Sequence, residues 1–146
     1  MKPIETSTHI IGRQPTDVAE ALLTPEIAVK WQSNLERCEV VAGRPGDVGA
    51  KMHLHFAPPK GRQHVMEEVL EFAEPGRRYV SRITGDGMVV QVETLLQATP
   101  NGTQLTVRWS GSSPSLWTRL LLRIMRSAIA QRADIDLQTL KCLIEA

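Results

Sequence analysis

Apolar and polar residues alternate along much of this chain, as they do in strands that bury one face of a sheet. Three turn sequences rich in Gly, Pro, Asn or Asp interrupt this alternation in the second half of the chain. They are Glu74-Pro75-Gly76-Arg77, Gly85-Asp86-Gly87-Met88 and Pro100-Asn101-Gly102-Thr103. The pattern predicts a meander of four antiparallel strands near 63–74, 77–84, 88–98 and 103–110.

Three further strands are predicted before the meander. Ile4–Gly12 forms the first, and Arg37–Gly43 and Val48–Phe56 flank the turn sequence Arg44-Pro45-Gly46-Asp47 as a hairpin. Between the first and second strands, Pro15–Leu23 and Thr24–Trp31 each carry a proline near the start, which predicts two short helices.

One long helix is predicted at the end of the chain. Ser113 suits the capping position, Pro114 suits the first helical position, and no later Gly or Pro interrupts the segment up to Ala146. Apolar residues recur at spacings of three and four, which predicts a buried stripe. Its expected members are Trp117, Leu120, Leu121, Ile124, Ala128, Ile135, Leu140 and Ile144. Arg119, Arg123, Arg126 and Arg132 occupy much of the remainder and are expected to form a solvated face.

The three turns predict the registers of the meander if each has its two central residues unpaired. The predicted cross-strand pairs are Leu96 with Val107, Thr94 with Trp109, Ile83 with Val90, Ser81 with Val92, Phe72 with Tyr79, Leu70 with Ser81, and Glu68 with Ile83. These registers place Glu68 on the apolar face, together with Met66, Leu70 and Phe72. A carboxyl group is therefore expected among apolar side chains.

The strand over 48–56 has two possible orientations. Met52, Leu54 and Phe56 are expected to face inward because the apolar set must meet the core, with His53 and His55 outward. The loop from Ala57 to Arg62 fixes no register, and a slip of one residue would turn both histidines inward.

Composition and charge narrow the classes of protein. The 146 residues fit a single domain spanning 1–146, and the formal net charge of +1 disfavours binding to nucleic acid. No apolar run is long enough to span a membrane and no signal peptide is visible, so we expect a cytoplasmic protein without integral membrane association. Two cysteines, Cys38 and Cys142, are expected to be reduced.

Several local phrases resemble one known superfamily. Gln14-Pro15-Thr16-Asp17-Val18, followed by Leu23-Thr24-Pro25-Glu26 and Trp31, is similar to the opening of START-like, or SRPBCC, proteins. Further phrases resemble its second hairpin, its fourth strand and its last strand. They are Glu39–Gly43 with Pro45–Ala50, Glu67-Glu68-Val69 with Phe72–Arg77, and Asn101–Thr106. The resemblance covers essentially the whole chain and extends to the order of elements.

The resemblance implies a helix-grip fold of the α+β class, in which a seven-stranded antiparallel sheet wraps around a long C-terminal helix and two short helices follow the first strand. It also implies a cavity between that helix and the sheet for a hydrophobic molecule such as a lipid, an aromatic polyketide or an isoprenoid. The predicted cavity residues are Trp31, Met52, Leu54, Met66, Leu70, Tyr79, Ser81, Val90, Val92, Thr94, Val107, Trp109, Trp117 and Leu121.

Three functions remain open. The first is a carrier or sensor of a hydrophobic small molecule, with Glu68 orienting the ligand and the tryptophans stacking on it or packing in the core. The second is a cofactor-independent cyclase or dehydratase similar to polyketide cyclases, with Glu68 as acid or base, helped by Ser81 or Tyr79. The third is a protein-interaction module that uses the arginine-bearing helix or a sheet edge.

No phosphate loop, nucleophile elbow or paired Cys and His arrangement is visible, so no cofactor is expected. His53 and His55, with His64 on the next strand, are interpreted as surface histidines rather than metal ligands. A monomer and a homodimer are both compatible with the sequence.

Overall fold

The computed structural model describes residues 3–57, 64–85, 87–112 and 116–146, except for the side chains at positions 112, 116–118, 121 and 122. Its strands are β1 (Ile4–Ile11), β2 (Leu35–Ala42), β3 (Lys51–Phe56), β4 (His64–Glu74), β5 (Arg78–Gly85), β6 (Met88–Thr99) and β7 (Gly102–Ser112). Its helices are α1 (Pro15–Leu23), α2 (Pro25–Trp31) and α3 (Leu116–Glu145). The predicted Ser113 cap, the Pro114 helix start, Asp86 and the loop over 58–62 lie outside the described residues.

The strands form one antiparallel sheet in the order β1-β7-β6-β5-β4-β3-β2. The first strand closes against the last, so the meander lies in the middle and β1 and β2 form the two edges. The seven strands, two short helices and long C-terminal helix confirm the predicted helix-grip fold.

The turn between β6 and β7 differs from its prediction. Thr99 pairs with Gly102, so Pro100 and Asn101 are the two central residues. The true pairs are Thr94 with Val107 and Leu96 with Leu105, two residues away from the predicted register. The cause is local: Pro100 supplies the φ that suits a first central position. A slip of two keeps every side chain on its predicted face.

A β-bulge makes part of the register between β4 and β5 differ from its prediction. Glu68 pairs with Ile83 and Leu70 with Ser81, as predicted, but an extra residue then shifts the pairing. Phe72 consequently lies opposite Val80, and Ala73 takes the place opposite Tyr79. The prediction that Phe72 faces inward is therefore wrong, and its ring lies under the guanidinium of Arg78, 4.8 Å from the ring centroid.

Helix α3 buries a different stripe from the one predicted. Leu140 is fully buried and Ile144 packs against the core, as expected, but the other buried residues described on the helix are Ala133 and Leu137. Four members of the predicted stripe, Leu120, Ile124, Ala128 and Ile135, are exposed. The helix has apolar residues on two opposite faces, so spacing did not decide which one meets the sheet. The side chains of Trp117 and Leu121 lie outside the described residues.

Polar contacts hold α3 beside the edge strand β1 and the end of α2. Lys141 Nζ donates to the carbonyl oxygen of His9 at 2.6 Å, and the Ile11 amide donates to the Glu145 carboxylate at 2.9 Å. The Ser33 amide, just after α2, donates to both carboxylate oxygens of Asp136 at 3.2 Å. These contacts orient α3 so that its buried face meets the sheet.

The core consists of two neighbouring apolar clusters on the inner face of the sheet, the face that meets the helices. One lies around Ile10, Leu105 and Leu140, and the second lies around Leu35, Leu54 and Ile83. Val92 packs against both. Most of the predicted binding residues that the structure describes belong to one of these clusters or pack against it.

Candidate functional site

Glu68 lies on the inner face of the sheet in the middle of β4. Met52 on β3 and Ile83 on β5 are its partners on either side, and Val90 on β6 follows in the same row. Met52, Ile83 and Val90 all belong to or pack against the second core cluster. Glu68 is therefore a carboxyl group in a row of apolar side chains.

The neighbouring residue shows how different the outer face is. Glu67 points away from the core and lies 3.8 Å from Lys51 and 3.6 Å from His53, both of which are partly exposed. Among the described residues, no hydrogen bond or ion pair reaches the carboxyl group of Glu68. Strand alternation has given two consecutive glutamates opposite environments.

Burial raises the pKa of the Glu68 carboxyl from 4.5 to about 7. The cause is the loss of water around the charged form, with no compensating donor among the residues that the structure describes. Near neutral pH the group is thus present in both protonation states. A protonated carboxyl can donate a hydrogen bond to a ligand oxygen, and an ionised one can accept a proton.

Cys38 on β2 lies two strands from Glu68 and was not among the predicted site residues. Burial raises the pKa of its thiol to about 11, and the charges of Glu68 and Glu26 add to the rise. Its sulfur lies 3.6 Å from the sulfur of Met52. The thiol stays protonated at neutral pH and packs as an apolar group, so it is not a nucleophile. The sequence of β2 gave no sign that Cys38 faces inward, because apolar residues occur on both faces of this strand, as the consecutive exposed residues Val40 and Val41 show.

Two tryptophans bring buried hydrogen-bond donors to the same face. Trp31 ends α2, Trp109 lies on β7 opposite Val92, and both pack against the first core cluster. The indole N–H groups of both are buried and have no acceptor within the described part of the chain. Buried donors are ordinarily paired, and an unpaired one costs about 1 to 3 kcal/mol. Sequence reasoning identified these residues as aromatic surfaces and missed the unpaired donors.

The remaining predicted residues divide by burial. Leu54, Leu70, Tyr79 and Val107 are buried core residues. Partly buried positions on the inner face lie between them: Met52, Met66, Ser81, Val90, Val92 and Thr94. The Tyr79 hydroxyl accepts a hydrogen bond from the Gly76 amide at 2.9 Å, so it belongs to the turn rather than to Glu68.

The two histidines of β3 lie on the outer face. His53 is 3.6 Å from the Glu67 carboxylate, and Nε2 of His55 is 3.3 Å from the Arg37 guanidinium. Their inward neighbour Leu54 is buried, which settles the orientation of the strand. Within the described ranges, no three His, Cys, Asp or Glu side chains are grouped as a metal site.

Solved structures with this architecture include several bacterial proteins and Ara h 8.0201. A protein from Chromobacterium violaceum is 20% identical, with a TM-score of 0.75 over 100% of this chain and 99% of that one. A protein from Rhodobacter sphaeroides is 18% identical, with a TM-score of 0.79 over 98% and 91%. Ara h 8.0201 is 15% identical, with a TM-score of 0.67 over 94% and 97%. No curated protein matches significantly.

The fold is a helix-grip fold that these solved structures share. Residues 3–145 match the family described as polyketide cyclase / dehydrase and lipid transport, and the chain belongs to that family. Family and fold together indicate hydrophobic ligand binding or a function like that of polyketide cyclases. None of the described helices combines the length and apolar character needed to cross a membrane.

Proposed function

We propose that this protein binds a hydrophobic small molecule against the inner face of its sheet, with Glu68, Trp31 and Trp109 as its polar contacts. The observation that carries the proposal is that two buried indole N–H groups and the half-buried carboxyl of Glu68 lack a hydrogen-bond partner among the described residues on this one face. A ligand with an apolar body and oxygen atoms removes the penalty of each group that it reaches.

The arrangement of these groups constrains the ligand. Glu68 on β4 and Trp109 on β7 are three strands apart, which corresponds to roughly 14 Å across the sheet. Met52, Val90 and Val92 supply an apolar surface around and between them. A carbonyl or ether oxygen is suited to the indole donors, and the neutral form of Glu68 can donate to a second oxygen.

Native mass spectrometry of freshly purified protein, followed by denaturing extraction, tests this proposal. We expect denaturation to release a small, largely apolar molecule that carries oxygen atoms. An empty protein that also fails to bind the aromatic ketone 2-acetonaphthone saturably would contradict the binding function.

We also propose, as a second candidate, that Glu68 exchanges protons with a bound carbonyl compound, as a cyclase or dehydratase requires. A carboxyl group with a pKa of about 7 is matched to acid and base catalysis at neutral pH. Ser81 lies two residues from the partner of Glu68 on the same face and is the nearest predicted helper.

A test of this chemistry does not require the natural substrate. Proton abstraction next to the carbonyl of 2-acetonaphthone exchanges its methyl hydrogens for deuterium in heavy water, and NMR follows the loss of signal. The wild-type protein should accelerate exchange, and Glu68→Gln should slow it by roughly 100-fold or more. Glu67→Gln, on the outer face, is the matched control. Equal exchange by wild type and Glu68→Gln would exclude Glu68 as the base.

A further inference from the structure

Helix α3 has a second apolar face that points away from the sheet. Leu120, Ile124, Ala128 and Ile135 follow one another at spacings of four and seven, so they lie along one side of the helix. Ile124 is 70% exposed, Ile135 55% and Leu120 47%. We call this row the outer ridge. It lies opposite the buried residues of the same helix, and the neighbouring Met125 is 45% exposed.

The first half of α3 is also strongly basic. Arg119, Arg123, Arg126 and Arg132 all precede Ala133, and no Asp or Glu occurs anywhere between Glu93 and Asp134. The whole chain has 17 basic and 16 acidic residues, so the excess of arginine is local. Arg123 and Arg132 are exposed, and Arg132 donates to a neutral acceptor, the carbonyl oxygen of Ser33.

We propose that the outer ridge docks α3 onto an anionic lipid surface. An amphipathic helix with exposed Leu, Ile and Met beside arginines lies in the membrane interface, with apolar side chains among the lipid chains and guanidinium groups at the phosphates. Before Ala133, where Leu120, Ile124 and Ala128 lie, the helix carries no carboxylate that would repel the anionic headgroups.

The same features disfavour a protein occupant. Two copies paired through the outer ridge would bring arginine-rich helix segments together, without acidic residues on those segments to neutralise them. A single row of side chains also offers less contact area than the ~800 Å² that each partner buries in a stable protein interface. This inference is independent of the proposed ligand site, because the ridge and the inner face of the sheet share no residue.

Co-sedimentation with lipid vesicles tests the inference. The protein should sediment with vesicles of phosphatidylcholine mixed with phosphatidylglycerol, sediment less with phosphatidylcholine alone, and be released by salt. Ile124→Asp should weaken binding by about tenfold or more because it places a charge in the apolar layer. Arg123→Gln should weaken it roughly fivefold through the loss of one charge.

Val48→Asp is the matched control, because Val48 is 63% exposed and lies outside α3. It should sediment like the wild type, and circular dichroism should show that all variants are folded. Equal sedimentation of Ile124→Asp and wild type, or no binding to either vesicle, would overturn the proposal. A concentration-dependent dimer that Ile124→Asp abolishes, without vesicle binding, would assign the ridge to a second copy.

Discussion

At the scale of single residues, two consecutive glutamates illustrate how a strand determines the environment of each side chain. Glu67 and Glu68 differ by one position in β4, yet the first lies beside Lys51 and His53 on the outer face and the second among apolar side chains. Alternation alone predicts this difference, because side chains on a strand point to opposite faces. The unusual pKa of Glu68 then follows from its surroundings.

Glu68 should make the stability of the fold depend on pH. Below about pH 4.5 the carboxyl is protonated in both the folded and the unfolded chain, so Glu68 adds no penalty. As the pH rises towards 7 the unfolded chain ionises first, which favours unfolding, and the loss stops growing above the folded pKa. A rise in pKa from 4.5 to about 7 corresponds to about 3 kcal/mol.

Urea unfolding between pH 4 and pH 8 measures this effect. As the pH rises across this window, the free energy of unfolding of Glu68→Gln minus that of the wild type should increase by up to about 3 kcal/mol. Glu67→Gln should show no comparable gain. A constant difference between Glu68→Gln and wild type at every pH would mean that the carboxyl is not desolvated.

Two other details at the residue scale could not be predicted from the sequence. The inward position of Phe72 was mispredicted because a bulge inserts one unpaired residue in β4, and strand alternation gives no sign of it. The unpaired indole donors of Trp31 and Trp109 were also invisible, since an acceptor can come from any element that packs nearby. Such contacts are set by tertiary packing and not by local pattern.

At the scale of elements, helix α3 separates what periodicity can and cannot determine. Its existence followed from the long segment without Gly or Pro, and the described helix runs from Leu116 to Glu145. Its orientation did not follow, because apolar residues occupy two faces. The choice between them is made by contacts with β1 and α2, such as the hydrogen bonds from Ser33 to Asp136.

A pair of alanine substitutions tests the orientation of α3. Leu137 is 2% exposed and Ile135 is 55% exposed, only two positions away. Leu137→Ala should lower the free energy of unfolding by about 3 kcal/mol because it opens a cavity in the core. Ile135→Ala should change it by less than about 0.5 kcal/mol. Equal losses in thermal or urea unfolding would contradict the assigned buried face.

The turn between β6 and β7 gives a second prediction for an element. Gly102 is needed because a Cβ there would lie 1.9 Å from the carbonyl oxygen of Ile10 on β1. Gly102→Ala should therefore destabilise the fold by about 2 kcal/mol or more, since the backbone of β1 must move.

Asn101→Ala in the same turn is the control for this prediction. Asn101 is exposed and does not adopt a positive φ, so its replacement should be nearly neutral. Comparable unfolding midpoints for Gly102→Ala and the wild type would show that β1 does not approach β7 so closely.

At the scale of the whole molecule, most of the strand order was predictable because recognisable turn sequences separate β2 from β3 and the strands of the meander from one another. Such turns pair sequential neighbours, whereas no turn predicts the register between β3 and β4 or the partner of β1, which closes on β7. The candidate site is predictable only in outline, as an apolar face with one carboxyl group. The chemical identity of the ligand depends on the shape of the space and on side chains from several elements.

The central claim is that the inner face binds an apolar molecule whose oxygen atoms meet unpaired polar groups. The chain has three tryptophans, so its proton–nitrogen NMR spectrum contains three indole signals, which Trp31→Phe and Trp109→Phe variants assign. Titration with 2-acetonaphthone should move the indole proton of Trp31 or Trp109 downfield as it gains an acceptor, whereas 2-ethylnaphthalene, which lacks the oxygen, should not. If both indole signals stay unchanged when the protein is saturated with the ketone, the proposed polar contacts are wrong.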